Sequence, residues 1–223
     1  MKLKAGDRLV FIGDSVTDMG RKRENEAPSE GLFEPLGTGY PHVVSGLLNA
    51  VYPDVMVRIT NVGISGNTVL DLKRRWQRDV LDLKPDWLSV MIGINDVWRQ
   101  FDLPQMAEKH VLPDVYEATL RELVVKTLPT LSGGVVLMTP YYIEPRKDDP
   151  MRKRMDEYGA ICRKIAADTG VIFVDLQSAF DRVLKYHNPN YITWDRVHPN
   201  IYGATVIAKA FLDAIGFDYT HQA

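Results

Sequence analysis

The sequence predicts an α/β fold: a three-layer α/β/α sandwich built on a five-stranded parallel sheet. Two observations predict it. Short β-branched runs alternate with longer stretches of helical periodicity, and each run is nearly continuous in apolar residues instead of alternating apolar with polar. A strand that is apolar all along its length is covered on both faces, which is the condition of a parallel sheet with helices above and below it.

In chain order, the first strand spans 9–12 as Leu9-Val10-Phe11-Ile12, and the first long helix spans 40–52. Between them, segment 20–39 holds four glycines and two prolines among several charges. Irregular stretches of that length are usually functional or disordered, and this one is expected to rim the site discussed below. A second strand at 56–62 leads into a helix over 68–83. There Val69, Leu72, Trp76, Val80 and Leu83 keep one apolar stripe at three- and four-residue steps, and Thr68 with Asp71 resembles a capping box. Its other face, Lys73, Arg74, Arg75, Arg78 and Asp79, is expected to be solvated. A third strand at 87–92 precedes a helix over 114–128, and a fourth at 135–139 precedes one over 152–169. In the latter Met155, Tyr158, Ile161, Cys162 and Ile165 recur at helical spacing, and with no His or acid placed as its partner Cys162 is a core residue, not a nucleophile. The fifth strand at 171–175 is followed by helices over 177–186 and 200–215. The last is expected to bury Ile201, Ala204, Ala208, Phe211 and Ile215, to enter sharply after His198-Pro199 and to stop at Gly216. Right-handed crossovers join such strands, and ligands bind beyond their carboxyl ends.

At 223 residues, with no linker, repeat or low-complexity tract, the chain is expected to form one domain, 1–223. The net charge of −2, with both signs mixed along the chain, gives no footprint for nucleic acid or an anionic membrane. No stretch approaches the roughly 18 apolar residues of a bilayer span. The first residues lack a signal-like apolar segment, and the lone cysteine offers no internal disulfide, so a cytoplasmic setting is expected.

The chemistry sits at the predicted strand ends. Gly13-Asp14-Ser15 closes the first strand. A serine becomes a nucleophile when an imidazole takes its proton and a third group orients that imidazole. Asp195 and His198, three residues apart in Asp195-Arg196-Val197-His198, can supply both: the carboxylate faces Nδ1 and leaves Nε2 as base. Attack on an ester carbonyl then needs donors for the developing oxyanion. Gly63-Ile64-Ser65-Gly66-Asn67-Thr68 ends the second strand and opens a helix, with Gly66 as the best backbone donor. Gly93-Ile94-Asn95-Asp96, read as a strand-end loop, offers the Asn95 carboxamide. Gly-Asp-Ser alone is a weak signal, equally that of an ordinary turn; the set at successive strand ends is much stronger. A competing reading takes Asp14, Asp18, Asn95, Asp96, Asp195 and His198 as ligands of a metal-dependent phosphoesterase, but the first blocks lack the extra histidine that a two-metal site would usually have. His42, His110, His187 and His221 lack metal-ligand spacing, so neither metal nor cofactor is expected.

Gly13-Asp14-Ser15, Gly66, Asn95 and Asp195-x-x-His198 resemble, in order and spacing, the blocks of the SGNH (GDSL-type) hydrolase family. The resemblance implies a flavodoxin-like sheet. It implies Ser15 as nucleophile, His198 and Asp195 completing a triad, and an oxyanion hole of Ser15 N–H, Gly66 N–H and Asn95. The strings FIGDSVTD, LGTGY, GISGNTV, MIGINDVWRQ, LMTP, DPMR and WDRVHP extend the likeness across nearly the whole chain, to bacterial cytoplasmic acetylxylan esterases within that family. They imply acetylated xylo-oligosaccharide as substrate and a homo-oligomer. Asp14, Trp98 and Trp194 flank the catalytic blocks and are candidate substrate contacts. A lipase- or thioesterase-type member of the family acting on other acyl esters is the alternative.

Overall fold

The computed structural model describes residues 1–22, 29–30 and 34–222. Positions 23–28 and 31–33 of the expected rim lie outside the described residues.

The five parallel strands are β1 (Arg8–Gly13), β3 (Arg58–Asn61), β4 (Trp87–Met91), β5 (Gly134–Met138) and β6 (Ile172–Val174). A two-residue strand, β2 (Ser29–Glu30), pairs antiparallel with β3 at one edge and was not foreseen from the sequence. The order is β2-β3-β1-β4-β5-β6. The chain thus leaves β1 toward β3 and then crosses to β4 on the other side of β1, which places a crevice at the carboxyl end of β1.

Alternation along β1 separates two cores. Leu9 and Phe11 face α2 (Tyr40–Val51), α7 (Leu176–Val183) and α8 (Ile201–Ala214) in a cluster with Leu48, Phe180 and Phe211. Val10 and Ile12 face α3 (Val69–Trp76), α5 (Pro113–Thr127) and α6 (Pro150–Thr169), with Leu72, Trp76, Tyr116 and Ile165. All four β1 side chains are fully buried, as continuous apolar strands require. Cys162 lies in the second core, 3.3 Å from the Tyr116 hydroxyl, and burial pushes its thiol up to about 12. No described helix is long and apolar enough to cross a membrane.

Three departures from the sequence reading bear on the site. The 68–83 helix is α3 followed by a π-helical turn, Gln77–Leu81, closed by Asp82 N–H donating to Gln77. The loop expected after the third strand is a helix, α4 (Ile94–Asp102), launched from Gly93 at φ +132°. A side chain at Gly93 would come within 2.8 Å of Pro140 and 3.0 Å of the Tyr116 hydroxyl, so both backbone angle and space demand glycine. Finally, part of the face of the 68–83 helix read as solvated is buried: the Arg75 side chain on α3 is 9% exposed and that of Asp79 in the π-helical turn is 2%.

Candidate active site

Ser15 opens α1 (Ser15–Asp18), a single turn capped by Asp14, whose carboxylate accepts from Val16 N–H at 3.0 Å. Gly13 is required for the strand to turn there: a Cβ would stand 2.4 Å from the Met91 carbonyl on β4 and 2.2 Å from Thr17 Oγ1. As the first residue of a helix, Ser15 has an N–H that no intrahelical carbonyl claims. Its Oγ lies 2.8 Å from His198 Nε2, and His198 Nδ1 lies 2.5 Å from Asp195 Oδ2. A carboxylate only accepts, so Nδ1 carries the proton and Nε2 is the acceptor for the serine hydroxyl.

The Asp195–His198 turn is held from several sides. Asp195 Oδ1 accepts from the backbone N–H groups of Val197 (3.0 Å) and His198 (2.8 Å), and from the Thr193 hydroxyl (3.1 Å). Burial pushes the Asp195 carboxyl up, but the hydrogen bonds from His198 and these backbone donors outweigh it and hold the group below the usual carboxylate range. Arg196 adopts a left-handed φ of +65°, its guanidinium pairing with the buried Glu144 while its carbonyl accepts from Ile143 N–H.

Gly66 stands in an exposed turn at φ +82° with open space where a side chain would be. Its loop is tied to the serine turn: Asp18 Oδ2 accepts from Ser65 N–H (3.0 Å) and Ser65 Oγ (2.7 Å). Arg75, underneath, donates to the Gly13 and Val62 carbonyls and to Asn67 Oδ1, and is anchored by Asp79 at 2.7 Å. One guanidinium therefore joins the ends of β1 and β3 to the Gly66–Asn67 turn. Asn95, in the first turn of α4, is 2% exposed and donates through Nδ2 to the Asn67 carbonyl at 3.0 Å.

The flanking candidates divide. Trp194 is 71% exposed and stacks on His198 with centroids 5.5 Å apart and planes 10° apart; Trp98 lies 6.0 Å from the same ring, tilted. Asp14, expected as a substrate contact, is instead buried, its carboxylate capping α1, and that burial raises it to about 7. The residues of the metal-dependent reading are likewise committed to the protein. Asp14 caps α1, Asp18 holds Ser65, Asp96 accepts from Val69 N–H and Asp195 holds His198. Among the described residues no three His, Cys, Asp or Glu side chains are grouped as ligands.

Asp96, next to Asn95, is fully buried, and burial raises its carboxyl to about 8 from the ordinary value near 4. Between those values the folded protein keeps a proton that the unfolded chain releases, so this group's stabilisation is present at low pH and is lost as pH rises through about 8. Asp96→Asn removes that dependence. Its unfolding midpoint, followed by circular dichroism, is expected to gain on the wild type between pH 5 and pH 9; parallel curves would refute the assignment.

Two contributors escaped the sequence reading. Arg75 looked like one of several surface cations, and only its i, i+4 partner Asp79 marked it. Arg99, whose Nη2 donates to Asn95 Oδ1 at 3.1 Å, was not marked while 93–96 was read as loop, since its spacing from Asn95 matters only on a helix.

The profile of the GDSL-like Lipase/Acylhydrolase family matches residues 11–206. An acetylxylan esterase of Geobacillus stearothermophilus is 56% identical over 222 residues, covering 100% of both chains. The crystal structure of Axe2, an acetylxylan esterase from the same organism, matches with a TM-score of 0.96 at 55% identity over 100% of each chain. Solved variants of Axe2 described as catalytic mutants replace a serine, a histidine or an aspartate by alanine. LAE5, an alpha/beta hydrolase from the metagenome of Lake Arreo, Spain, matches with a TM-score of 0.94 at 52% identity, covering 97% of this chain and 98% of its own. The serine turn, the glycine and asparagine turns and the Asp-x-x-His turn all fall inside the matched span, and the chain belongs to the GDSL-like lipase/acylhydrolase family.

Proposed function

We propose that this protein is a serine esterase that removes acetyl groups from acetylated xylo-oligosaccharides. The observation that carries the mechanism is the unbroken hydrogen-bonded line Ser15 Oγ, His198 imidazole, Asp195 carboxylate at the carboxyl end of β1. The full-length identity to an acetylxylan esterase supports the substrate.

In the proposed reaction His198 Nε2 takes the Ser15 proton as Oγ forms a bond to the acetyl carbonyl carbon. The oxyanion is held by Ser15 N–H, Gly66 N–H and Asn95 Nδ2. As the tetrahedral species collapses, the imidazolium gives its proton to the departing sugar oxygen. Water, deprotonated by the same imidazole, then attacks the acetyl-serine, and the imidazolium returns that proton to Ser15 Oγ as its bond to the acyl carbon breaks and acetate leaves. Asp195, ionised throughout the neutral range, supports the imidazolium without accepting its proton. A groove of about 470 Å³ adjoins the site at Gly66 and runs past Thr68 and Leu70 to Arg99 and His110, beside the catalytic pair and not lined by Ser15 or His198. Trp194 and Trp98 flank His198, and the exposed indole of Trp194 offers a face for a sugar ring.

The reading includes one catalytic domain over 1–223, action in the cytoplasm and assembly of like subunits. Ile201, expected in the buried stripe of α8, is instead exposed at the entry of that helix beside the exposed pair Tyr191 and Tyr202, whose rings stack 5.1 Å apart, and this apolar surface supports the last of these. Acetate release from acetylated xylo-oligosaccharides, compared with hydrolysis of an octanoyl ester, tests the substrate. Fast deacetylation with slow octanoyl turnover is expected; the reverse order would favour a lipase-type acylhydrolase.

A further inference from the structure

We propose that Arg99 is a positioning residue of the oxyanion hole, fixing and polarising the Asn95 carboxamide through its oxygen. The inference rests on the serine-esterase reading and adds a residue to it. Arg99 lies one helical turn beyond Asn95 on α4, and its Nη2 donates to Asn95 Oδ1 at 3.1 Å. Its other terminal nitrogen pairs with Asp102, three residues on, and its guanidinium carbon stands 5.2 Å from the Trp98 ring centroid. The side chain is 27% exposed and is held at both ends of its fork.

A carboxamide is nearly symmetric in shape, and its oxygen and nitrogen exchange places by a half-turn about the last torsion. For an oxyanion hole the two states are opposites: one presents N–H to the developing charge, the other a lone pair. Arg99 can only donate and the Asn67 carbonyl can only accept. The first therefore claims Oδ1 and the second claims one hydrogen of Nδ2, at 3.0 Å. Together they leave the remaining N–H of Nδ2 for the substrate oxygen. The cation has a second effect. A charge-assisted bond to the amide oxygen draws electron density away from nitrogen, so the N–H offered to the oxyanion is a stronger donor than that of a neutral amide. This gain grows with the charge on the substrate oxygen, so it favours the transition state over the bound ester and acts on kcat more than on KM.

The test is a double-mutant cycle on p-nitrophenyl acetate using wild type, Arg99→Met, Asn95→Ala and the double variant, with Ser15→Ala as control. Asn95→Ala is expected to lower kcat by about 10²–10³-fold, the usual cost of losing an oxyanion-hole donor, and Arg99→Met by roughly tenfold with KM nearly unchanged. The double variant is expected to be no slower than Asn95→Ala, because Arg99 has nothing left to orient. Arg99→Lys keeps a cation but not the fork; it is expected to lose less activity and to show the same coupling, which keeps the test usable if Arg99→Met folds poorly. Losses that multiply in the double variant, or a change confined to KM, would overturn the positioning role. Full activity in Ser15→Ala would instead overturn the esterase reading beneath it.

Discussion

Ser15→Ala and His198→Ala are each expected to lower kcat for acetyl-ester hydrolysis by about 10⁶-fold, with the double variant no slower than either single one. The reason is the 2.8 Å contact between Oγ and Nε2. A serine hydroxyl without its base does not attack, and an imidazole without the serine has no nucleophile to deprotonate. The residual rate, about 10³–10⁴ above that in water, would come from the donors of Ser15, Gly66 and Asn95 and from substrate binding. Single-turnover acetate release, with circular dichroism to verify folding, measures all three. Losses that multiply would show the two residues acting in separate steps and would refute the triad.

Asp195→Asn is expected to cost about 10⁴-fold in kcat while leaving the protein folded. Asparagine retains an acceptor for the backbone N–H groups of Val197 and His198, which form the turn. It replaces the carboxylate oxygen facing Nδ1, however, with an amide nitrogen that donates. The imidazole then favours the opposite tautomer, with the proton on Nε2, and cannot accept from Ser15 until it rearranges. Steady-state kinetics beside a thermal unfolding curve separate the two effects. A loss below tenfold at unchanged stability would show that Asp195 shapes the turn but does not set the tautomer.

The fold was legible because its strands are buried on both faces. Runs such as Leu9-Val10-Phe11-Ile12 have no other stable place, and their alternation with helices leaves few topologies. The triad was legible because its residue types are chemically specific and two of its members are neighbours in sequence. What stayed hidden depends on tertiary context. Helix α4 begins at a glycine with φ of +132°, where Pro140 and Tyr116 leave no room for a side chain, which no local pattern announces. Arg75 and Asp79 carry charges that normally face water; here the guanidinium satisfies three strand-end and turn oxygens at once, which offsets its desolvation. Asp14 could be read as a ligand or as a cap, and only its burial beneath α1 decides between them.

Cys162 is the chain's single cysteine and is buried on α6 against Tyr116 of α5, with burial raising its thiol to about 12. Alkylating reagents and oxidants act on exposed thiolate, of which the folded molecule presents almost none. Modification must therefore wait for the layer covering the sheet to part, and its rate becomes a clock for that opening. The same position that makes Cys162 irrelevant to ester chemistry gives the protein a built-in, single-hit recorder of its own unfolding.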